Sequence, residues 1–283
     1  MSTLDRPTPR RSQAMEQGEA DRDGPHPHEA DDAEVVISFR GVTKAFGSQV
    51  IYEGLDLDVY RGETLTIIGG SGVGKSVMLK LLIRLLEPDD GVITAFGENV
   101  REMDEEALLK LRARVAMLFQ GAALFDSLSV AENIKYPLRE HQWGTEAQMD
   151  ARVEEVLDMV DLPGVEQKKP SQLSGGMRKR VGLARAIAMK PEVILYDEPT
   201  TGLDPINVRR INTLILGLQE RLGVTSLVVT HDMDTVFTVT NRLAMVHGKR
   251  IAFAGTTNEA RTSGFRYLEE FVQGGWGTLD EDL

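Results

Sequence analysis

Hydrophobic patterning begins abruptly at Val35-Val36-Ile37-Ser38-Phe39, a β-branched and aromatic run that reads as a strand. Five more apolar runs of strand length follow, at 65–68, 115–119, 193–196, 226–229 and 243–246, and helical stretches lie between them. Alternation of this kind predicts a layered α/β domain. Over 121–172 the texture changes: helices are expected at 130–139 and 145–160, with turns at Trp143-Gly144 and Leu162-Pro163-Gly164. The stretch 121–190 is therefore expected as a helical subdomain inserted into the α/β layers. A run at 265–272 has the spacing of an amphipathic helix ahead of Gly274-Gly275, and Asp280-Glu281-Asp282 is a solvated acidic end. No internal repeat is present.

Residues 1–33 hold Pro, Glu, Asp, Arg and His with almost no aliphatic side chains. That is too little apolar surface to offset the entropy of ordering, so a disordered leader is expected, without the apolar core of a signal peptide. The chain has 283 residues, enough for one large α/β domain with flanking segments. No cysteine is present, which excludes a disulfide framework and cysteine-based metal or nucleophile chemistry. No stretch approaches the roughly 18 consecutive apolar residues of a membrane span. The net charge of −12 argues against a nucleic-acid partner, which calls for a basic footprint.

Three clusters carry chemistry. Gly69-Gly70-Ser71-Gly72-Val73-Gly74-Lys75-Ser76 fits G-x-x-x-x-G-K-[ST] between the strand at 65–68 and an expected helix over 76–86. Glycines are needed because backbone amides must point at phosphate oxygens, and a Cβ would block the approach. Lys75 would reach the β and γ phosphates and the Ser76 hydroxyl would ligate Mg²⁺, with the positive end of the helix dipole behind them. The second cluster is Asp197-Glu198, at the end of the apolar run 193–196. Burying two carboxylates there is costly unless a cation or a proton transfer uses them. Asp197 is placed to hold the Mg²⁺ shell and Glu198 to orient or deprotonate the attacking water. The third is Leu173-Ser174-Gly175-Gly176-Met177, ahead of a helical stretch over 178–189, whose hydroxyl and amides form a second anion surface.

In that order, these motifs resemble the ATP-binding cassette (ABC) ATPases over about residues 35–255. The resemblance implies an α/β P-loop NTPase cassette over 34–264. It would have a RecA-like mixed-sheet core, an N-terminal antiparallel β part and the helical insert, followed by a C-terminal extension over 265–283. It also implies a head-to-tail homodimer in which Ser174, Gly175, Gly176 and Met177 close on ATP held by the partner's loop, Gly69 to Val77. Residue by residue, Phe46 matches the aromatic that stacks on adenine. Gln120 matches the glutamine that touches Mg²⁺ and the attacking water. Asp204 of Thr201-Gly202-Leu203-Asp204 matches the loop that crosses the dimer interface, and His231 matches the histidine on the γ-phosphate. The implied catalytic set is Glu198, His231 and Gln120, with Ser76, Gln120 and Asp197 around Mg²⁺. Two positions depart from the commonest pattern: Met177 stands where glutamine is usual, and Val77 where threonine is usual. Neither removes a phosphate or metal ligand.

Repair and chromosome ATPases insert a long coiled coil between phosphate loop and signature, for which the stretch 75–174 has no room. Translation-factor types carry two cassettes, and this chain has one. Transport is the expected class, with those two as lesser alternatives. Met117-Leu118-Phe119-Gln120-Gly121-Ala122-Ala123-Leu124-Phe125-Asp126-Ser127-Leu128-Ser129-Val130 looks like the ATPases of MCE-associated phospholipid transporters, the MlaF/Mkl group. That resemblance implies a separate membrane permease, an MCE-domain substrate-binding protein, a small STAS-domain partner and a peripheral place on the cytoplasmic face of the inner membrane. The alternative is the ATPase of another importer, for example one for polar amino acids, which shares most of the motifs.

Overall fold

The computed structural model describes residues 33–265 together with Leu268, Glu269 and Phe271. The expected leader, apart from its last residue, and the acidic end lie outside the described residues, as does most of the expected tail helix. In chain order the strands are β1 (Val35–Phe46), β2 (Gln49–Tyr60), β3 (Thr64–Ile68), β4 (Asp90–Ala95), β5 (Glu98–Asn99), β6 (Val115–Leu118), β7 (Val193–Asp197), β8 (Thr225–Val229), β9 (Arg242–His247) and β10 (Arg250–Thr256). The helices are α1 (Lys75–Leu82), α2 (Glu105–Arg114), α3 (Val130–Glu140), α4 (Glu146–Met159), α5 (Gly175–Ile187), α6 (Pro205–Leu222), α7 (Met233–Val239) and α8 (Thr257–Arg261).

Two sheets result. One is antiparallel, in the order β2-β1-β4-β5; the other runs β10-β9-β3-β8-β7-β6. In the second sheet β9, β3, β8, β7 and β6 are mutually parallel and only β10 is reversed. Every residue of β3, β7 and β8 is buried, which explains why these strands read as short runs rich in apolar residues, with Thr and Ser buried among them. Alternation decides which layer each side chain enters. Val193 and Leu195 join the core shared with the antiparallel sheet and α1, whereas Ile194 and Tyr196 join the core under α3 to α6. The helices expected as a subdomain pack on one another and share that second core with Leu118, Tyr196 and Val228 of the sheet. Leu268 and Phe271 cover a third, smaller cluster with Ile68, Val236 and Met245.

Register aligns the carboxyl ends of the central strands. Ile67 pairs with Val229, Val229 with Asp197, and Tyr196 with Leu118. The residues just past each strand, Gly69, His231, Glu198 and Gln120, thus leave the sheet at one edge.

Helix α1 stops at Leu82, four residues before the expected end. Arg84 adopts φ 52°, and the Leu85 N–H returns to the Lys80 carbonyl while the Arg84 N–H reaches Leu81. This is a left-handed helix stop made without glycine. Arg112 of α2 stabilises it by donating to the Ile83 and Arg84 carbonyls. Helix α5 starts three residues earlier than expected because Ser174 caps it, its hydroxyl accepting from the Met177 N–H.

Helices α4 and α5 cap each other's carboxyl ends. Arg152 of α4 is buried and donates to the Ala188 and Ile187 carbonyls at 2.9 and 2.7 Å. Arg180 of α5 donates to the Val160 and Asp161 carbonyls at 3.2 and 2.8 Å. A buried carbonyl left without a donor costs about 1–3 kcal/mol. Arg152→Met, which keeps the apolar stem, should therefore lower unfolding free energy by about 2–4 kcal/mol in urea titration. A change below about 0.5 kcal/mol would show that the mutual caps do not hold the two helices together.

Candidate nucleotide site

The phosphate loop joins a fully buried strand to a helix start, and its backbone fits no other residue at two points. Gly69 has φ +149° and a Cβ there would lie 2.6 Å from the Val246 carbonyl oxygen. Gly74 has φ +101° and a Cβ would meet Ile51 at 2.2 Å. From the other side the Tyr52 hydroxyl donates to the Gly74 carbonyl at 2.6 Å, fixing the loop against β2. Lys75 is buried and donates to the carbonyls of Gly69 and Gly70, both at 2.9 Å. Burial pulls its ammonium below the usual lysine range, while the carboxylates of Glu198 and Asp197 push it back up.

Across the loop the Ser76 hydroxyl donates to the Asp197 carboxylate at 2.5 Å. A hydroxyl and one carboxylate suit Mg²⁺, which keeps waters and phosphate oxygens in its shell in place of an all-protein cage. The described residues contain no cluster of three or more His, Asp or Glu able to hold a metal alone.

Glu198 has φ +49°, a left-handed conformation rare outside glycine. Its N–H donates to the Val229 carbonyl at 2.9 Å, and its carbonyl accepts from Lys179 Nζ of α5 at 2.9 Å. Its carboxylate accepts from the Thr201 hydroxyl at 2.9 Å and faces His231 Nδ1 at 2.9–3.0 Å. Glu198 is thereby held on both backbone and side chain, while His231 stays half exposed beside it. Beneath them the Thr200 and Thr235 hydroxyls both donate to Asp232, which caps α7.

Of the residues singled out from sequence, Lys75, Ser76, Asp197, Glu198 and His231 are brought together directly. Gln120 is placed by register alone: Leu118 pairs with Tyr196, so Gln120 stands level with Glu198, exposed at the same edge. Phe46 ends β1 with its ring exposed and the Lys44 ammonium 5.3 Å from its centre. A second group forms elsewhere. Gly176 lies so close to α6 that a Cβ would be 2.6 Å from the Asn207 side-chain oxygen, and Asn207 in turn donates to Asp204, the cap of α6. Ser174 to Met177 and Thr201 to Asp204 therefore share one surface. Among the described residues no hydrogen bond joins that surface to the phosphate loop. Sequence reasoning missed Tyr52 and Lys179, and it placed Thr201 in the interface loop without its bond to Glu198. Thr201 had a signal, a hydroxyl three residues after Glu198 across a proline turn; Lys179 showed only as one cation in a basic run.

A model of the ABC transporter family matches residues 52–201. A probable ribonucleotide transport ATP-binding protein, mkl, of Mycobacterium leprae (strain TN) is 40% identical over 240 residues, 85% of this chain and 69% of the relative. The intermembrane phospholipid transport system ATP-binding protein MlaF of Escherichia coli (strain K12) is 36% identical over 239 residues, 84% of this chain and 89% of the relative. Among solved structures, a dimeric ATP-binding cassette in a post-hydrolysis state with ADP and Pi superposes with TM-score 0.72 at 31% identity, over 78% of this chain and 98% of that one. A phosphate loop in which Gly69 and Gly74 leave no room for a side chain, facing carboxylates that the sheet register delivers, agrees with this likeness, and the chain belongs to the ATP-binding proteins of ABC transporters.

Proposed function

We propose that this chain is the ATP-hydrolysing subunit of a transporter that moves phospholipid through a separate membrane permease. The observation that carries the catalytic half is the Glu198 carboxylate, oriented by His231 and Thr201 beside the Ser76–Asp197 pair. In this reading Gly69 to Val77 wrap the phosphates with Lys75 on the β and γ groups, and Phe46 stacks on adenine. Ser76, Asp197 and Gln120 would hold Mg²⁺, which would supply charge neutralisation at the phosphates. Glu198 accepts the proton of the attacking water, and His231 contacts the γ-phosphate.

The surface of Ser174 to Met177 with Asp204 closes on the nucleotide of a second copy, head to tail. Such pairing gives it a use that the chain's own phosphate loop does not. The leader over 1–33 and the extension over 265–283 flank a cassette over 34–264. No helix among the described residues is long and apolar enough to cross a membrane. A peripheral position on the cytoplasmic face of the inner membrane, held by the permease, fits the likeness to the MlaF protein. An MCE-domain protein and a STAS-domain protein complete the assembly. The lipid assignment is supported by the likeness to MlaF over most of both chains. The mkl relative is named for ribonucleotides; in either case substrate contacts belong to the membrane partners.

Two outcomes follow. Glu198→Gln should lower the rate of ATP turnover by about 10²–10⁴-fold while ATP affinity changes by less than about threefold, because the amide cannot take the water's proton. Turnover near wild type in single-turnover assays would remove Glu198 as the base. Affinity capture of the tagged full chain from detergent-solubilised membranes should bring down a permease and an MCE-domain protein. Recovery with a periplasmic amino-acid receptor system would replace the lipid reading.

A further inference from the structure

Lys179 is buried five residues into the helix that Ser174 caps, yet the nucleotide chemistry above gives it no task. Its ammonium lies 2.9 Å from the carbonyl oxygen of Glu198. That carbonyl belongs to a residue in an unfavourable conformation for two independent reasons. Left-handed φ brings a side chain against its own backbone. In addition Pro199 follows, and a proline ring drives the residue before it towards extended backbone. Glu198 left to itself would extend, carrying its carboxylate away from His231 and Thr201.

Three backbone contacts oppose this. The Glu198 N–H reaches Val229 at 2.9 Å, the Thr201 N–H makes a long 3.4 Å contact to the Glu198 carbonyl, and Lys179 supplies the short bond to that same oxygen. Only the Lys179 bond brings a charged donor, which makes it the strongest of the three in kind. Burial pulls the Lys179 ammonium below the usual lysine range, and the nearby carboxylates of Asp197 and Glu198 partly offset this.

We propose that Lys179 is a positioning residue for hydrolysis, its ammonium holding the Glu198 carbonyl and so keeping Glu198 in the left-handed conformation that points its carboxylate at His231. The proposal rests on the reading of Glu198 as general base. It makes helix α5 a direct link between the Ser174 surface and the residue that activates water.

The test compares Lys179→Met, which keeps the stem and removes the donor, with Lys179→Arg, which keeps a cationic donor. Both are measured in the full chain with Mg-ATP, alongside Glu198→Gln and thermal melting of each variant. Lys179→Met should lower kcat about tenfold or more, the population lost when a strained residue relaxes, with KM for ATP within about twofold. Lys179→Arg should recover much of that loss. If Lys179→Met does not fold, Lys179→Gln, too short to span the gap, gives the same comparison. Wild-type kcat in a folded Lys179→Met or Lys179→Gln chain would overturn the proposal. So would a loss in which kcat and ATP affinity fall by the same factor and track the melting temperature, since that is a generic packing defect. Turnover in Glu198→Gln would instead remove the underlying base assignment, whatever Lys179 does.

Discussion

A strand buried on both faces cannot lead into two buried carboxylates unless the surroundings compensate their lost hydration, and β7 ends at Asp197 with Glu198 directly after it. The compensation comes from four directions. Lys75 rises from the phosphate loop, Lys179 from α5, the Ser76 hydroxyl from α1, and Thr201 with His231 from the flanking turns. Each donor needs its own backbone element at a set distance from the edge of the sheet. The parallel register supplies that distance, and the special glycines let the loop curl close enough for Lys75 to arrive. Without the carboxylates the two buried lysines would lose the charges that partly offset their burial.

Helix α5 emerges as the element that touches most of the machinery. Its first turn presents Ser174 to Met177, its middle sends Lys179 to Glu198, and its last turn sends Arg185 to the carbonyls of Ala122 and Ala123 at 2.8 Å each. Those two alanines follow Gln120 with φ of 62° and 47°, a second left-handed segment held by a cation from the same helix. Because α4 and α5 cap each other through Arg152 and Arg180, α5 does not move alone. A rigid pair of helices bonded to both Glu198 and the Gln120 loop is suited to couple a membrane partner to hydrolysis.

How much of this was legible in the sequence depended on whether the chemistry is contiguous. Gly69 to Ser76, Asp197-Glu198 and Ser174 to Met177 are local strings, and the strands leading into the first two are fully buried, so periodicity and motif agreed there. The strands of the antiparallel sheet other than β1 were not picked out: Leu55 to Tyr60 of β2 does alternate buried and more exposed residues and was overlooked, whereas the first half of β2 and the start of β4 mix them irregularly around register shifts. The end of α1 was overrun because Arg84 stops it without a glycine, a tertiary effect of Arg112. The Lys179–Glu198 bond spans 19 residues and two elements, and Tyr52 reaches Gly74 across 22. Neither pairing leaves a mark in any window of sequence.

The central claim is that the phosphate site at this sheet edge is finished by the Ser174 surface of a second copy. Mixing two inactive chains tests it most directly. Lys75→Ala disables the loop, and Gly175→Asp, at an exposed position with room for a Cβ, sets a carboxylate against the incoming phosphates. In a head-to-tail pair each mixed dimer holds one site with both defects and one with neither. Equimolar mixing should then restore hydrolysis to about a quarter of the wild-type rate. A mixture as inactive as its components, with mixed dimers verified by tag exchange, would contradict the account.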